Sequence, residues 1–416
     1  MRCKLHASLR SAIQLTLGSA ASQILAVGFS LIYARLFVPE EMGLYALLLS
    51  VESMFGGVLS LRYETMMVTE PSERRALALC CACLCMTAVL GAVAAVGCGV
   101  VYHLVGGHSL SMILPMLLLL WLKGLIGVLE SWNNRCGVYG LMASVTVERT
   151  LVQGLLSAGL CLLGMGVWGL LLGHLFGMMV GVCRQARALW QKRGALRHIG
   201  WRDMREVMHA YRRQALYATP SVFVNRLSYQ LITLMLDVRF GSAVLGAYTM
   251  ANKALSLPLT VLSGNVSRIF LREAGRAYHS RGAFREQFLR VSALMALLAL
   301  VLGAAVWRLA PWGFRVLYGD QWMACSDMAR AMVPMLMMRL VTSAVAGAMQ
   351  ITGKQGQELA GQVGMALVVL LAGTACASAV GMLWVVSVGF ALLYGAVWCF
   401  AARSAGGASG KAGASS

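Results

Sequence analysis

ALALCCACLCMTAVLGAVAAVGCGVV, residues Ala76–Val101, contains no charged side chain from one end to the other. An apolar stretch of about 18 residues or more is the signature of a transmembrane helix. The rest of the chain has a similar character, because 59% of its residues are hydrophobic and 12% are charged. Soluble domains carry about 25% charged residues. The composition therefore excludes an ordinary soluble domain and predicts a membrane protein.

Eleven further stretches have the length and apolar character of membrane spans, although those that begin at Met42, Leu141 and Val244 are studded with polar residues. Together with Ala76–Val101 they predict an all-α polytopic membrane protein with about twelve transmembrane helices. The eleven stretches are Ser11–Ala34, Met42–Leu61, Leu110–Leu129, Leu141–Leu163, Val167–Val182, Ala215–Leu236, Val244–Phe270, Phe288–Trp307, Ala331–Ile351, Leu359–Ala377 and Val380–Ala402.

The basic residues are sorted onto alternate sides of these spans. The chain has 35 Lys and Arg residues and a net charge of +19. Most of them fall in alternate loops, and the segment 184–213 is the richest; the opposite loops hold only Arg35, Arg239, Arg308, Arg315 and Arg330. This is the positive-inside pattern. It predicts an inner-membrane protein with both termini in the cytoplasm, and it assigns the charge to membrane lipids rather than to nucleic acid.

The basic segment 184–213 also divides the chain into two halves. We expect an N-terminal six-helix lobe at 1–183, a basic cytoplasmic linker at 184–213, a C-terminal six-helix lobe at 214–402 and a disordered tail at 403–416. Trp190 and Trp201 leave two interpretations of the linker open, a segment lying on the membrane surface or a solvated tether. No loop can house a catalytic domain, and no nucleophile–base pair or metal-binding motif is present. We therefore expect no enzyme activity, no metal and no cofactor.

Polar residues recur at helical spacing in two neighbouring spans. One stripe comprises Asn225, Arg226, Tyr229, Gln230 and Thr233, and the next comprises Tyr248, Asn252, Ser256, Thr260, Ser263 and Ser267. Such stripes either hold helices together or line a water-filled cavity, and for the hydroxyl residues both interpretations stay open. We predict that Asn225, Tyr229, Gln230 and Asn252 are polar residues of a cavity.

Five cations lie within the predicted spans: Lys123, Arg149, Arg226, Lys253 and Arg339. A cation at the middle of a membrane helix costs about 2.5–3.5 kcal/mol on insertion scales, so such residues are usually functional. We predict that Arg226, Lys253, Lys123 and Arg339 bind an anionic substrate, whereas Arg149 is expected to pair with its neighbour Glu148. Arg226 could have Glu52 or Glu148 as a partner.

Glu52 and Glu148 are the deep acidic residues, and they are our candidates for proton coupling. Asp237 is a weaker candidate because it lies at an outside end beside Arg239.

Three stretches carry a resemblance to a known family. They are RLFVPEEMGLYALLLSV (Arg35–Val51) with LRYE (Leu61–Glu64), LYATPSVFVNRLSYQL (Leu216–Leu231) with Gly246–Ala274, and Leu317–Gln355. In them the chain resembles bacterial polysaccharide flippases, the O-antigen and exopolysaccharide members of the multidrug/oligosaccharidyl-lipid/polysaccharide exporter superfamily. The resemblance implies two six-helix lobes around a central cavity that opens alternately to each side.

The resemblance also implies the substrate, an undecaprenyl-pyrophosphate-linked oligosaccharide repeat unit that moves from the cytoplasmic to the periplasmic leaflet during lipopolysaccharide O-antigen, capsule or exopolysaccharide biosynthesis. The implied partners are this lipid-linked oligosaccharide, membrane lipids, and a polysaccharide polymerase with its chain-length machinery. The alternative is a cation-coupled multidrug exporter of the same superfamily, which would need acidic rather than basic residues deep in its cavity.

Overall fold

The computed structural model describes residues 2–106, 110–281, 283–348 and 356–406, and these residues form a chain of helices. Each of the twelve predicted spans coincides with a helix over most of its length. The helices are α1 (Arg2–Leu36), α2 (Pro39–Phe55), α3 (Tyr63–Thr69), α4 (Glu73–Gly106), α5 (Ile113–Cys136), α6 (Tyr139–Leu162), α7 (Gly166–Met179), α8 (Val182–Trp190), α9 (Arg193–Leu196), α10 (Trp201–Ala210), α11 (Arg212–Phe240), α12 (Ser242–Arg281), α13 (Arg285–Tyr318), α14 (Ala324–Ala344), α15 (Gly356–Ala375) and α16 (Ala379–Ala405).

Within the described residues, 6 helical segments are long and apolar enough to cross a membrane by length and composition. They are Leu17–Leu36, Glu73–Leu104, Leu110–Cys136, Gly166–Trp190, Arg285–Tyr318 and Ala379–Ala405. The other predicted spans are also helical, but they are shorter or more polar. The outer faces of α4 and α13 leave residues such as Val93 (65% exposed) and Leu297 (62% exposed) uncovered, as expected of helices in contact with lipid.

The chain forms two compact units, Met1–Val238 and Arg239–Ser416. In the first unit, α1 packs on α6, α6 on α7, α4 on α5, and α2 on α5 and α7. In the second, α14 packs against α12, α13 and α16, and α15 against α16. Small residues allow such helices to approach closely. A Cβ atom on Gly124 would lie 2.1 Å from Thr87 Cγ2, and one on Gly173 would lie 2.2 Å from Ser157 Oγ.

The boundary between the compact units lies at Val238, later than the linker at 184–213 that divides the predicted lobes. The boundary at Val238 reflects how the helices pack. The division at the linker reflects the expected arrangement of six spans on each side of it. The division into lobes at 1–183 and 214–402 therefore stays a prediction. Most of the predicted disordered tail, from residue 407 onward, lies outside the described residues, as does the end of the predicted span Ala331–Ile351.

The basic linker is folded against the first unit. Helices α8–α10 and their connections place five side chains against an apolar cluster of α3, α4 and α5 residues, namely Ala188, Leu189, Leu196, Ile199 and Met208, and Val207 is buried in that cluster. Trp190 and Trp201 are each 67% exposed. A free tether would not bury its apolar side chains in this way. The packed linker is thus a helical element of the first unit, with its tryptophans on the outside.

The second predicted span differs from expectation at its end. We predicted a helix over Met42–Leu61, but α2 ends at Phe55 and the chain continues through turns to Arg62. Leu61 and Arg62 have positive φ angles of 48° and 63°. Gly56 and Gly57 stand at the break, and paired glycines are strong turn formers. Irregular backbone at membrane depth is tolerated where it is buried in protein or lines a water-filled cavity.

Candidate functional site

Glu52 is the centre of a polar cluster in the first unit. It lies in the last turn of α2 and is only 6% exposed. Lys123 Nζ of α5 lies 2.9 Å from Glu52 Oε1, and His174 Nε2 of α7 lies 2.9 Å from Glu52 Oε2. Buried carboxylates are normally paired because an isolated buried charge is costly. One carboxylate therefore holds basic side chains from two other helices.

Two neutral side chains extend this cluster toward α6. Gln153 Nε2 donates to the Tyr45 hydroxyl at 3.0 Å. The Tyr45 ring packs edge-on against the His174 imidazole, with 6.0 Å between ring centroids. These contacts fix the imidazole next to Glu52. The polar cluster thus joins α2, α5, α6 and α7 within one unit.

Arg226 binds the end of α2. Its Nη1 atom donates to the Ser53 carbonyl at 2.8 Å. The last four carbonyls of a helix lack partners within the helix, and a cation is favourable at that end of the helix dipole. The Phe223 and Phe55 rings also pack together, with centroids 5.4 Å apart. Arg226 is therefore positioned by the break in α2, and neither Glu52 nor Glu148 is its observed partner here.

Gly56 and Gly57 make room for the two cations. A Cβ atom on Gly56 would lie 2.6 Å from Lys123 Cγ, and one on Gly57 would lie 2.6 Å from Arg226 Cζ. Real Cβ atoms do not make contacts this short, so side chains at these positions would push the cations away. The side chains of Lys123 and Arg226 therefore pack closely against the backbone of Gly56 and Gly57.

Lys123 is only partly covered by the protein. Its side chain is 42% exposed, although it lies near the middle of the apolar segment Leu110–Cys136. An ammonium group that faced hydrocarbon at this depth would carry a large cost. The Lys123 ammonium is accordingly paired with the Glu52 carboxylate, while part of its side chain stays uncovered by the protein.

A second polar region lies within the second unit, between α12 and α14. It is a cavity of about 380 Å³. Its polar lining comprises Ser256, Thr260, Ser263, Ser267, Ser343 and Arg339. The hydroxyl residues of α12 had two open interpretations, glue or cavity lining, and the structure places four of them on a cavity wall.

The remaining predicted site residues have separate positions. Asn225, Tyr229 and Gln230 are half-buried on α11 beside Arg226. Asn252 accepts a hydrogen bond from Ser256 Oγ at 2.6 Å, and Lys253, which follows it on α12, is half-buried. Neither Asn252 nor Lys253 belongs to the described lining of the cavity. Their roles in substrate binding stay predictions.

The predicted pairing of Arg149 with Glu148 is wrong. Arg149 Nη1 lies 3.0 Å from Glu130 Oε1, and Arg149 Nη2 donates to Gln185 Oε1 at 2.9 Å. Glu148 instead pairs with Arg184 of the linker, where both side chains are partly exposed. Adjacent residues on a helix point in different directions, so neighbours in sequence rarely meet. Arg149 is a structural residue that ties α6 to α5 and α8.

Sequence reasoning missed two parts of the first-unit cluster. His174 is absent from the predicted site residues, but it binds the buried carboxylate of Glu52, 122 positions away in the sequence. The role of Gly56–Gly57 was also missed, although the Gly-Gly dipeptide at the end of a span is a recognisable turn signal.

Comparison with known proteins identifies the family. The family model described as "Polysaccharide biosynthesis protein" matches residues 32–327, which is well over half of the chain. The chain belongs to this family. The amylovoran biosynthesis protein AmsL of Erwinia amylovora is 24% identical over 156 residues, which cover 38% of this chain and 40% of that relative.

Solved structures show the fold. The lipid II flippase MurJ, in an inward closed conformation, has a TM-score of 0.74 at 11% identity, with 94% of this chain and 87% of that chain covered. An inward-facing multidrug resistance MATE family transporter of the MOP superfamily has a TM-score of 0.53 at 17% identity, with 94% of each chain covered. The predicted fold class and family resemblance are confirmed. The protein is a multi-pass membrane protein of the polysaccharide biosynthesis family with a MOP transporter fold.

Proposed function

We propose that this polysaccharide biosynthesis family protein is a flippase for an undecaprenyl-pyrophosphate-linked oligosaccharide repeat unit. It moves the repeat unit from the cytoplasmic to the periplasmic leaflet of the bacterial inner membrane by alternating access, with both termini in the cytoplasm. The product feeds O-antigen, capsule or exopolysaccharide synthesis, and a polymerase with its chain-length machinery acts next. The family membership, the amylovoran biosynthesis relative and the flippase-like fold support the proposal.

The observation that carries the proposal is the excess of positive charge around the break in α2. Lys123 and Arg226 bring two positive charges to the end of α2, where the Glu52 carboxylate contacts Lys123 and His174, and Arg226 contacts the Ser53 carbonyl. Two cations in a region of low dielectric constant repel one another unless water or an anion intervenes. A pyrophosphate group supplies the missing negative charge, and the Lys123 side chain is 42% exposed.

The same observation weighs against a multidrug exporter. An exporter of organic cations needs an acidic group that its substrate can reach. Glu52 is 6% exposed and is engaged by Lys123 and His174, whereas the Lys123 side chain is 42% exposed. The MATE-like fold is compatible with either function, but the polarity of this cluster favours an anionic substrate.

Complementation of a deletion strain tests the proposal. Loss of the protein is expected to abolish the surface polysaccharide, and the wild-type gene is expected to restore it. Arg226→Ala and Lys123→Ala should restore it poorly at equal expression, because each removes a cation beside α2. Arg315→Ala is the matched control, since Arg315 forms an exposed ion pair with Asp320. Normal polysaccharide in the deletion strain, with no redundant exporter, would overturn the proposal.

A further inference from the structure

Helices α12 and α13 both pack on α14 and leave an apolar groove between them. The groove consists of two adjoining cavities of about 70 and 270 Å³, which share Leu255 of α12 and Val306 of α13. Its floor is formed by three residues of α14, namely Val333, Leu336 and Met337. Among the described residues that line the groove, only Tyr318 carries a polar side-chain group. The groove therefore suits a hydrocarbon ligand.

The wider of the two cavities lies where α13 contains a proline. Pro311 lies inside the helix, and a proline there removes one backbone hydrogen bond and kinks the helix. The carbonyl that loses its partner is that of Trp307, four residues earlier, and Arg330 Nε of α14 donates to it at 3.0 Å. The Arg330 guanidinium also lies over the Trp307 ring, 5.8 Å from the ring centroid. This part of α13 is thus tied to α14 rather than to α12.

Small residues make room along the same stretch of α13. Ala305, Ala310 and Gly313 line the wider cavity, and a Cβ atom on Gly313 would have no neighbouring heavy atom within 4 Å. Leu309 and Leu317 line it as well, and they are 55% and 53% exposed. The groove is therefore uncovered by protein on one side, where a chain can enter it from the membrane.

The groove is long compared with one leaflet of a membrane. Its α13 wall runs from Ala299 to Tyr318, which is about 28 Å at about 1.5 Å per residue. The hydrocarbon core of a bilayer is about 30 Å thick, and a phospholipid acyl chain occupies its own leaflet, about half of that thickness. A chain that fills the groove is therefore longer than an ordinary acyl chain.

The groove is also continuous with the polar cavity between α12 and α14. Leu259 and Leu336 line both the smaller apolar cavity and the polar cavity, which contains Arg339. A molecule that occupies both has a long hydrocarbon chain with a polar or anionic group at one end. Lipid chains are as apolar as Leu, so transfer of a chain from the bilayer to the groove gives no hydrophobic gain. Selectivity must therefore come from chain length and from close packing against the small residues.

From this arrangement we propose that the groove between α12 and α13 binds the polyprenyl chain of the lipid-linked substrate. A polyprenyl chain has no polar groups, it is longer than a phospholipid acyl chain, and its charged end lies beside the polar cavity when the chain occupies the groove. The inference rests on the proposed function and deepens it: the chain of the substrate moves in contact with the second unit of the protein instead of through bulk lipid.

Photolabelling of the purified full-length chain in phospholipid nanodiscs tests the groove. The probe is undecaprenyl monophosphate with a benzophenone at the far end of its chain, and the comparison probe is phosphatidylethanolamine with a benzophenone at the end of one acyl chain. We expect the polyprenyl probe to label residues 299–318 of α13 and 254–259 of α12, as mapped by mass spectrometry. Unlabelled undecaprenyl monophosphate should compete, whereas the short-chain farnesyl monophosphate should not.

Two variants fill the groove. Ala305→Trp and Gly313→Trp should each lower labelling by the polyprenyl probe at least about fivefold, because a bulky side chain takes the space of the ligand. Ala304→Trp is the matched control, since Ala304 is exposed, adjoins Ala305 and lines neither cavity. It should be labelled like the wild type. The thermal midpoint of each variant checks folding, and leucine replaces tryptophan at a position where the midpoint falls.

Three results would overturn the chain site. They are equal labelling of the groove by the phospholipid probe, labelling that farnesyl monophosphate competes as well as undecaprenyl monophosphate does, and labelling unchanged in both groove-filling variants.

The strain deleted for the protein separates this inference from the proposed function. Loss of surface polysaccharide in that strain, together with equal labelling of the groove by both probes, would overturn the chain site and leave the flippase function supported. Selective labelling by the polyprenyl probe, together with normal polysaccharide in the deletion strain, would overturn the proposed function and with it the role of the groove in transport.

Discussion

Substitution of Gly57 by alanine should lower transport without preventing folding. The three atoms nearest to an added Cβ all belong to the guanidinium end of Arg226, with Cζ at 2.6 Å. That end of the side chain can move at little cost, so Gly57→Ala should fold normally while it displaces Arg226 from the Ser53 carbonyl. The loss of one charge-assisted hydrogen bond corresponds to a roughly tenfold change in an equilibrium constant. We therefore expect the amount of repeat unit transported to fall by a factor of that order.

The measurement is surface polysaccharide per unit of expressed protein. Gly97→Ala is the control, because Gly97 lies on α4 with nothing within 4 Å of the added atom. Equal polysaccharide from Gly57→Ala and wild type would show that Arg226 need not occupy its site beside α2.

Glu52 is the residue expected to couple transport to protons. Glu52→Gln removes the charge that Lys123 and His174 share, and breaking a buried ion pair typically costs about 3–5 kcal/mol. We expect lower thermal stability and loss of any dependence of transport on the proton gradient, measured with an uncoupler. Glu148→Gln is the comparison, because Glu148 pairs with Arg184 at a partly exposed site. Unchanged gradient dependence in Glu52→Gln would remove Glu52 from the coupling mechanism.

The two polar regions differ in how far the sequence could predict them. Ser256, Thr260, Ser263 and Ser267 recur at steps of three and four, so helical periodicity alone places them on one face, and they share a cavity wall. The Glu52 cluster joins α2, α5, α6 and α7 through residues that are distant in sequence. Without homologous sequences or packing, no local pattern reports such contacts. The acidic partner of Arg149 was mispredicted for the same reason.

Among the elements, the linker α8–α10 is fixed to the first unit by polar contacts. Glu70, which lies between α3 and α4, is 4% exposed and accepts a hydrogen bond from the Tyr211 hydroxyl. The Ser72 N–H donates to Glu70 Oε1 at 3.2 Å. Arg74 pairs with Asp203 at 3.0 Å, and Lys192 pairs with Glu73 at 2.6 Å. The linker is thus held by a buried acid and a rim of surface ion pairs.

Glu70→Gln should loosen the linker. Burial raises the pKa of the Glu70 carboxyl, but the Tyr211 hydroxyl, the Ser72 N–H and the nearby Arg75 outweigh it and hold that pKa below its ordinary value. The folded state therefore favours the charged carboxylate. Hydrogen bonds to charged groups contribute about 1.5–3 kcal/mol. We expect a loss of this order in the free energy of unfolding, with faster tryptic cleavage within 184–213 at neutral pH.

The sign of the pH dependence follows from the lowered pKa. The stabilisation by Glu70 is fully present above the ordinary carboxyl pKa and is lost as the pH falls through the lowered folded value. The difference in thermal midpoint between wild type and Glu70→Gln should therefore be largest near neutral pH and shrink on acidification. Glu40→Gln, at an exposed position on α2, should match the wild type throughout. A midpoint difference that stays constant with pH would contradict this role of Glu70.

Element boundaries were predictable where hydropathy changes sharply and less so elsewhere. The uncharged stretch Ala76–Val101 lies wholly within α4, whereas the predicted helix Met42–Leu61 breaks at Phe55. Hydropathy does not register the break, because Gly56, Gly57 and Val58 are apolar or neutral. The composition of the linker did not predict its position. Neither interpretation, a segment on the membrane surface or a solvated tether, included its packing against α3–α5.

At the scale of the whole molecule, the charge distribution and the fold both describe a multi-pass membrane protein. Apolar helices account for the membrane location, and the basic loops account for the predicted orientation. The family and fold are those of polysaccharide biosynthesis proteins and MOP transporters. The described residues contain two polar regions, one in each compact unit, with cations on α5 and α11 in the first and on α14 in the second.

The most direct test of the central claim is a leaflet assay in cells that make the lipid-linked repeat unit. Membrane-impermeant periodate or lectin added to the periplasmic face of spheroplasts reports how much of the repeat unit has crossed. We predict that lipid-linked repeat units reach the periplasmic leaflet with the wild-type protein, and remain protected when it is absent or carries Arg226→Ala at equal expression. Equal labelling of the repeat units with and without the protein would contradict the account.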